Sequence, residues 1–129
     1  NGMDAYKAIA MGADAVGFGT AAEIAMGCRA CMACHIGNCP YGITSQVPEL
    51  RARLDPVEAG QHLANFITAT AEELKILTML SGHSDIRELS GEDLRAMEPN
   101  IAAITGLKLI GYDRPLAMWE PAPQNACCS

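Results

Sequence analysis

Four cysteines within twelve residues constrain this chain more than any other feature. Cys28, Cys31, Cys34 and Cys39 follow the spacing C-x2-C-x2-C-x4-C, with Pro40 directly after the last. A short loop can bring such thiolates around one small inorganic core, and iron–sulfur clusters are held by Cys thiolates at this close spacing, often with Pro following. The run therefore points to electron transfer. The chain has six cysteines, an even number, yet a disulfide framework fits poorly. No secretory context is visible, and clustered Cys in an intracellular chain more often serve metal or redox chemistry. A structural zinc ion, held by four thiolates or by three plus His35, is the second alternative. Zinc sites usually divide their ligands between two separated knuckles, whereas all four cysteines here share one loop, which favours iron–sulfur. Four thiolates complete a [4Fe–4S] core, and three leave a [3Fe–4S] core. Cys28, Cys34 and Cys39 alone have the spacing C-x5-C-x4-C, so Cys31 is either a fourth ligand or a buried neighbour. Backbone N–H groups of the Gly37–Cys39 turn are candidate donors to cluster sulfurs.

The 129 residues are enough for one modest core. Half are hydrophobic but few are aromatic, a composition of helix-rich or α/β interiors rather than β-sandwiches. A net charge of −6 argues against nucleic acid, which requires an excess of Lys and Arg. No apolar run reaches the ~18–20 residues that span a bilayer, and the start lacks the basic and apolar regions of a signal peptide. No membrane partner and a cytoplasmic location are the expectations. The chain opens Asn1-Gly2-Met3-Asp4, without an initiator Met, as expected of a C-terminal fragment cut from a longer polypeptide.

Along the chain, residues 3–11 suit a helix, with Tyr6, Ile9 and Ala10 on one face and Gly12 as its stop. Ala13 to Gly19 is expected to form a short buried strand, and Ala21 to Met26 a second short helix. Helix, strand, Gly-Thr loop and helix is an α/β arrangement of the kind repeated in (β/α)8 barrels. From Gly27 to Pro48 the period is lost and a loop is expected. Asp55, Pro56 and Glu58 restart helix as N-cap, first helical residue and capping-box partner. Leu63, Phe66, Ile67, Thr70, Leu74, Leu77 and Leu80 then form an apolar stripe, with Gly82 as the stop. The Ser90–Asp93 segment is expected to cap a short helix from Leu94 to Met97, and an extended tail to follow Gly106 through Pro115, Pro121 and Pro123.

Gly17-Phe18-Gly19-Thr20 closes the expected strand. Glycines let backbone approach a phosphate, and the loops after the last two strands of (β/α)8 barrels commonly form a phosphate site. Gly17, Gly19 and Thr20 are therefore candidate cofactor-binding residues. Alone, such a turn is more often a plain chain reversal, and its position just before the cysteine loop raises its weight. Lys7 reads as a solvated charge, His35 as a neighbour of the cluster, and His62 and His83 as ordinary surface residues. Met118 and Trp119 read as packing anchors, and Cys127 and Cys128 as incidental.

The runs Val16-Gly-Phe-Gly-Thr-Ala-Ala22, Ile24-Ala-Met-Gly-Cys28 and Cys34-His-Ile-Gly-Asn-Cys-Pro-Tyr-Gly-Ile-Thr-Ser-Gln46 together resemble the FMN-binding domain of glutamate synthase. The resemblance covers roughly residues 2–112 and is most specific at the cysteine loop. It implies a fold class: the last helix–strand unit of an α/β (β/α)8 FMN-binding barrel (1–27), an iron–sulfur cluster loop (28–48), and a helical extension with a proline-containing tail (49–129). It implies a [3Fe–4S] cluster on Cys28, Cys34 and Cys39, with Cys31 extra to the three-ligand pattern and [4Fe–4S] still open. Gly17, Gly19 and Thr20 would hold the FMN phosphate. Electrons would pass through the cluster to FMN, and 2-iminoglutarate, made from 2-oxoglutarate and ammonia, would be reduced to L-glutamate. The implied partners are the remainder of the FMN barrel and an electron donor, either an NAD(P)H-linked subunit or ferredoxin. The amidotransferase domain and earlier barrel strands of that family are absent here, so this stretch alone is expected to be inactive. A flavoprotein of the same type acting on another amino acid or amine is the nearest rival. A non-enzymatic electron-transfer or structural metal module is the rival from a different class.

Overall fold

A computed structural model of the chain describes residues 1–112. Five α-helices carry most of the regular structure there: α1 (Gly2–Ala10), α2 (Thr20–Ala25), α3 (Pro48–Arg51), α4 (Pro56–Leu80) and α5 (Pro99–Thr105). Single 3-10 turns lie at Cys34–Ile36, Ile86–Glu88 and Gly91–Asp93. Three helices end in the same hydrogen-bonded way. Past α1, Gly12 N donates to Ile9 O at 2.9 Å and Ala13 N to Ala8 O at 3.0 Å; past α2, Gly27 pairs with Ile24 at 3.0 Å and Cys28 with Glu23 at 2.9 Å. Past α4, Gly82 pairs with Met79 at 3.0 Å and His83 with Thr78 at 3.2 Å. This is the Schellman pattern, in which the two residues after the cap satisfy carbonyls of the last turn. The expected stops at Gly12 and Gly82 are therefore observed.

The start of α4 also follows its sequence. Asp55 Oδ1 accepts from Val57 N at 2.8 Å and Glu58 N at 3.2 Å, satisfying amides that the first turn leaves without partners. Its stripe is partly redrawn. Leu63, Phe66, Leu74 and Leu77 are half-buried and Ala59, Thr70 and Thr78 buried, whereas Ile67 and Leu80 are exposed. A helix advances 100° per residue, so each step of three falls about 60° short of a full turn, and Leu80, two such steps past Leu74, has rotated off the covered face while Ile67 lies at its edge.

The described residues divide into two compact units, Asn1–Gly2 with Val16–Lys75, and Met3–Ala15 with residues 76–112. The first contains the cysteine loop. Within it Phe18 meets Phe66 edge to face, with ring centres 5.8 Å apart, and Gly2 N donates to Glu73 Oε2 at 2.7 Å. In the second, the Tyr6 hydroxyl bonds the Ser81 hydroxyl at 2.5 Å, and Ala96, Ala102 and Leu109 form a small apolar cluster.

Some expectations for local structure are changed. Leu94 to Met97 is not a helix: Ser90 and Asp93 form a capping box around a single 3-10 turn, Gly91–Asp93. The chain then extends, and Ala96 makes an isolated parallel bridge with Leu109, donating to Lys108 O and accepting from Ile110 N, both at 2.9 Å. Residues 107–109 are thus tied to residue 96 by this bridge. Helix α5 was not anticipated, although Pro99 at its start and Gly106 at its end are standard punctuation. Ala13 to Gly19 is irregular, with Val16 and Phe18 half-buried, and no strand is assigned among the described residues. A strand exists only through ladder bonds to a neighbour. The proline-containing tail, Met118, Trp119, Cys127 and Cys128 lie outside the described residues.

Candidate functional site

The cysteine loop begins where α2 stops. Cys28 is the second residue past its cap, and its sulfur accepts from Ala30 N at 3.3 Å. Ala30 and Met32 then have φ of 52° and 59°, and they are the two non-glycine residues with positive φ among those described. Such conformations cost about 1–3 kcal/mol each and tend to cluster at functional sites. Both strained residues stand between Cys28 and Cys34. Cys28 is half-buried, Cys31 and Cys34 are exposed, Cys39 is buried, and all four are free thiols.

Cys39 has the most organised surroundings. Its thiol is lowered from 9.0 to about 7, chiefly by the backbone N–H of Thr44, against opposition from burial. The N–H groups of Tyr41 and Ile43 and the Thr44 hydroxyl lower it further. Metal ligation requires the thiolate, so these donors favour the binding form. They come from the residues after Cys39. In the Gly37–Cys39 turn, whose amides are candidate donors to cluster sulfurs, the Gly37 amide closes the 3-10 turn on Cys34 O at 3.0 Å.

The segment that follows holds this turn in place. Gly42 N donates to Cys39 O at 3.2 Å, and Arg53 Nη1 donates to Pro40 O at 3.0 Å. Gly42 has φ +79° and its α-carbon lies against the Leu50 carbonyl, where any Cβ would collide. Ser45 is buried, and its hydroxyl accepts from Val47 N at 3.1 Å just before α3.

No three His, Cys, Asp or Glu side chains among the described residues are grouped to hold one metal ion. The cysteines therefore share a loop without converging on one point. A cluster places its thiolates on separate irons, so the donor chemistry of the loop, with the Cys39 thiol lowered to about 7, fits that group. A cleft of about 340 Å³ nearby is lined by Pro40, Tyr41, Arg53, Asp55, Glu58 and His62, among other residues. None of the cysteines lines it, so the cleft is separate from the candidate ligands.

Gly17, Gly19 and Thr20 are exposed at the start of α2. Gly17, Gly19 and Gly60 are the glycines with neither positive φ nor an atom within 4 Å of a built Cβ. Neither a positive φ nor a close contact requires glycine at 17 or 19, although Gly19, with φ −95° and ψ −102°, lies outside the regions that side-chain-bearing residues ordinarily adopt. The open backbone there fits close approach by a phosphate. Lys7 is exposed as expected, and His35, read as a neighbour of the cluster, is exposed as well. His83 is more than a surface residue: its Nε2 lies 2.8 Å from Asp93 Oδ1 and its Nδ1 3.8 Å from Glu88 Oε2.

Comparison with known proteins follows the same stretch of chain. A family model described as a conserved region in glutamate synthase matches residues 1–84, and the chain belongs to the glutamate synthase family. An archaeal glutamate synthase [NADPH] of Methanocaldococcus jannaschii is 49% identical over 88 residues, covering 68% of this chain and 17% of that protein. An archaeal-type glutamate synthase [NADPH] of Thermotoga neapolitana is 39% identical over 122 residues, covering 95% of this chain and 22% of that protein. A ferredoxin-dependent glutamate synthase of Arabidopsis thaliana is 41% identical over 91 residues, covering 70% and 6%. The chain thus spans less than a quarter of each of these relatives. No solved structure matches it. No helix among the described residues is long and apolar enough to cross a membrane.

Proposed function

We propose that this chain is the cluster-bearing part of a glutamate synthase, an oxidoreductase of the cytoplasm that forms L-glutamate from 2-oxoglutarate and ammonia. The observation that carries this is the cysteine loop: the C-x5-C-x4-C spacing lies inside the family match, and Cys39 is prepared as a thiolate by surrounding donors. Cys28, Cys34 and Cys39 would hold a [3Fe–4S] cluster, and Gly17, Gly19 and Thr20 the phosphate of FMN. When bound, these groups supply single-electron and hydride transfer, while the protein supplies placement and electrostatics.

The chain's own residues have defined tasks in this scheme. Gly27 and the left-handed residues Ala30 and Met32 turn the backbone between α2 and Cys34. The amides of Tyr41, Ile43 and Thr44 stabilise negative charge at the Cys39 sulfur. Arg53 and the Gly42–Leu50 contact fix the turn that carries those amides. Residues 1–27 would be the closing unit of the flavin barrel, with 13–19 gaining its ladder bonds from the remaining strands. Relatives named for NADPH and for ferredoxin match at comparable identity, so an NADPH-linked partner and ferredoxin both stay in this reading as electron donors.

The test is anaerobic iron and sulfide loading of the enzyme that carries this sequence, followed by EPR and iron-to-sulfide analysis. The expected result is a signal in the oxidised form that disappears on reduction, with less iron than sulfide. Cys28→Ala, Cys34→Ala and Cys39→Ala should each lose it, and Cys31→Ala should keep it. A silent oxidised form that gains a signal on reduction, with iron equal to sulfide, would bring in Cys31 as a fourth ligand. Zinc binding with no cluster formed would sink the electron-transfer reading.

A further inference from the structure

The cleft beside the cysteine loop combines an apolar lining with charges of both signs. It encloses about 340 Å³, and every residue that lines it belongs to the unit containing the loop. Met26, Pro40 and Leu54 are half-buried there, and Ala59 is buried. Sites for small molecules are commonly built this way, from a cleft of a few hundred Å³ with an apolar lining and a few polar groups that fix orientation.

The charged groups of the cleft remain open to a ligand. Pro40 O takes one of the five N–H donors of the Arg53 guanidinium, which makes no second hydrogen bond among the described residues. Asp55 Oδ1 caps α4, whereas Asp55 Oδ2 and the Glu58 carboxylate accept no hydrogen bond there. An anion alone would meet two carboxylates. An amine alone would leave unused a planar guanidinium fork, which matches a carboxylate through paired N–H···O bonds. A zwitterion answers both signs, and the apolar lining accommodates a hydrocarbon side chain.

We propose that this cleft binds a free α-amino acid with an aliphatic side chain. Arg53 takes its α-carboxylate, Glu58 and Asp55 take its α-ammonium group, and Met26, Pro40 and Leu54 take the side chain. Arg53 also holds Pro40 O, next to Cys39, so the bound amino acid would brace the turn after that cysteine. The assignment requires neither the cluster nor the flavin.

Isothermal titration calorimetry of the intact enzyme that carries this sequence tests this, with L-leucine as the probe. L-Leucine is neither substrate nor product of the reaction proposed above, and Glu58→Gln locates where it binds. Wild type should bind it saturably, one per chain. Two analogues, 4-methylpentanoate without the ammonium group and 3-methylbutylamine without the carboxylate, should each bind roughly tenfold more weakly or worse. Glu58→Gln should weaken L-leucine by a similar factor. The Glu58 side chain makes no bond among the described residues, so this variant should keep the wild-type urea midpoint. No L-leucine binding by wild type, an affinity unchanged in Glu58→Gln, or an analogue that binds as tightly as L-leucine would each overturn the proposal. The cluster reading is tested separately, by its EPR signal, and stands or falls without these outcomes.

Discussion

Three glycines show how differently one residue type is used within this chain. Gly42 combines a left-handed backbone with a contact that admits no side chain, and so it cannot be replaced cheaply. Gly17 and Gly19 meet neither restriction. Gly42→Ala should destabilise the protein by roughly 1–3 kcal/mol from backbone strain, with the collision at Leu50 O adding to it, as a fall in the urea midpoint would show. Gly17→Ala should leave that midpoint within about 0.5 kcal/mol of wild type. It should instead weaken FMN binding roughly tenfold, about 1.4 kcal/mol, measured by recovery of flavin fluorescence on release. A Gly17→Ala protein that holds FMN normally would remove this residue from the phosphate site.

At the scale of elements, local sequence grammar worked wherever its partners were close in the chain. Asp55 caps α4, and Gly12 and Gly82 end their helices, because each bond spans only a few residues. The same grammar misled at Ser90–Asp93, where a true capping box opens a 3-10 turn instead of a helix. The reason lies with Asp93, which bonds Ser90 N at 2.8 Å and also meets His83 at 2.8 Å. The His83 ring, followed by the Ser90 amide, holds the Asp93 carboxyl below its ordinary value of 3.8. A lowered carboxyl pKa stabilises the fold fully above the unfolded value, and this is lost as pH falls through the folded one. Asp93→Asn should therefore cost about 1.5–3 kcal/mol at neutral pH, the range for hydrogen bonds to charged groups. Urea midpoints of wild type and variant should converge below the ordinary carboxylate range. A cost that stays constant into acid would show that the carboxylate's charge is not what matters.

Over the whole molecule, apolar surface is prominent. No large side chain among the described residues is less than 2% exposed, while Val57, Leu80 and Ile104 are 80%, 79% and 76% exposed. Scattered apolar residues are ordinary at protein surfaces, but contiguous patches mark contacts. With the chain spanning less than a quarter of the relatives compared, the proposed occupant of that surface is the remainder of the flavin barrel. The 129-residue chain should bind a hydrophobic dye such as ANS, a probe of exposed apolar surface, and the intact enzyme should bind far less per mole. Equal binding would mean that these side chains are covered by nothing further.

By itself, the sequence determined the family, the cysteine spacing, the helix over α4 and the glycine stops, because each is written in residues adjacent or a few turns apart. It also marked Gly17, Gly19 and Thr20, whose exposure is a consequence of where α2 begins. Tertiary structure alone decided which amides surround Cys39, why Gly42 must be glycine, and that Ala96 pairs with Leu109. It alone revealed the unpaired hydroxyl of Thr44. Those outcomes depend on directions and close approaches between groups, and residue order carries such information only through the packing it produces.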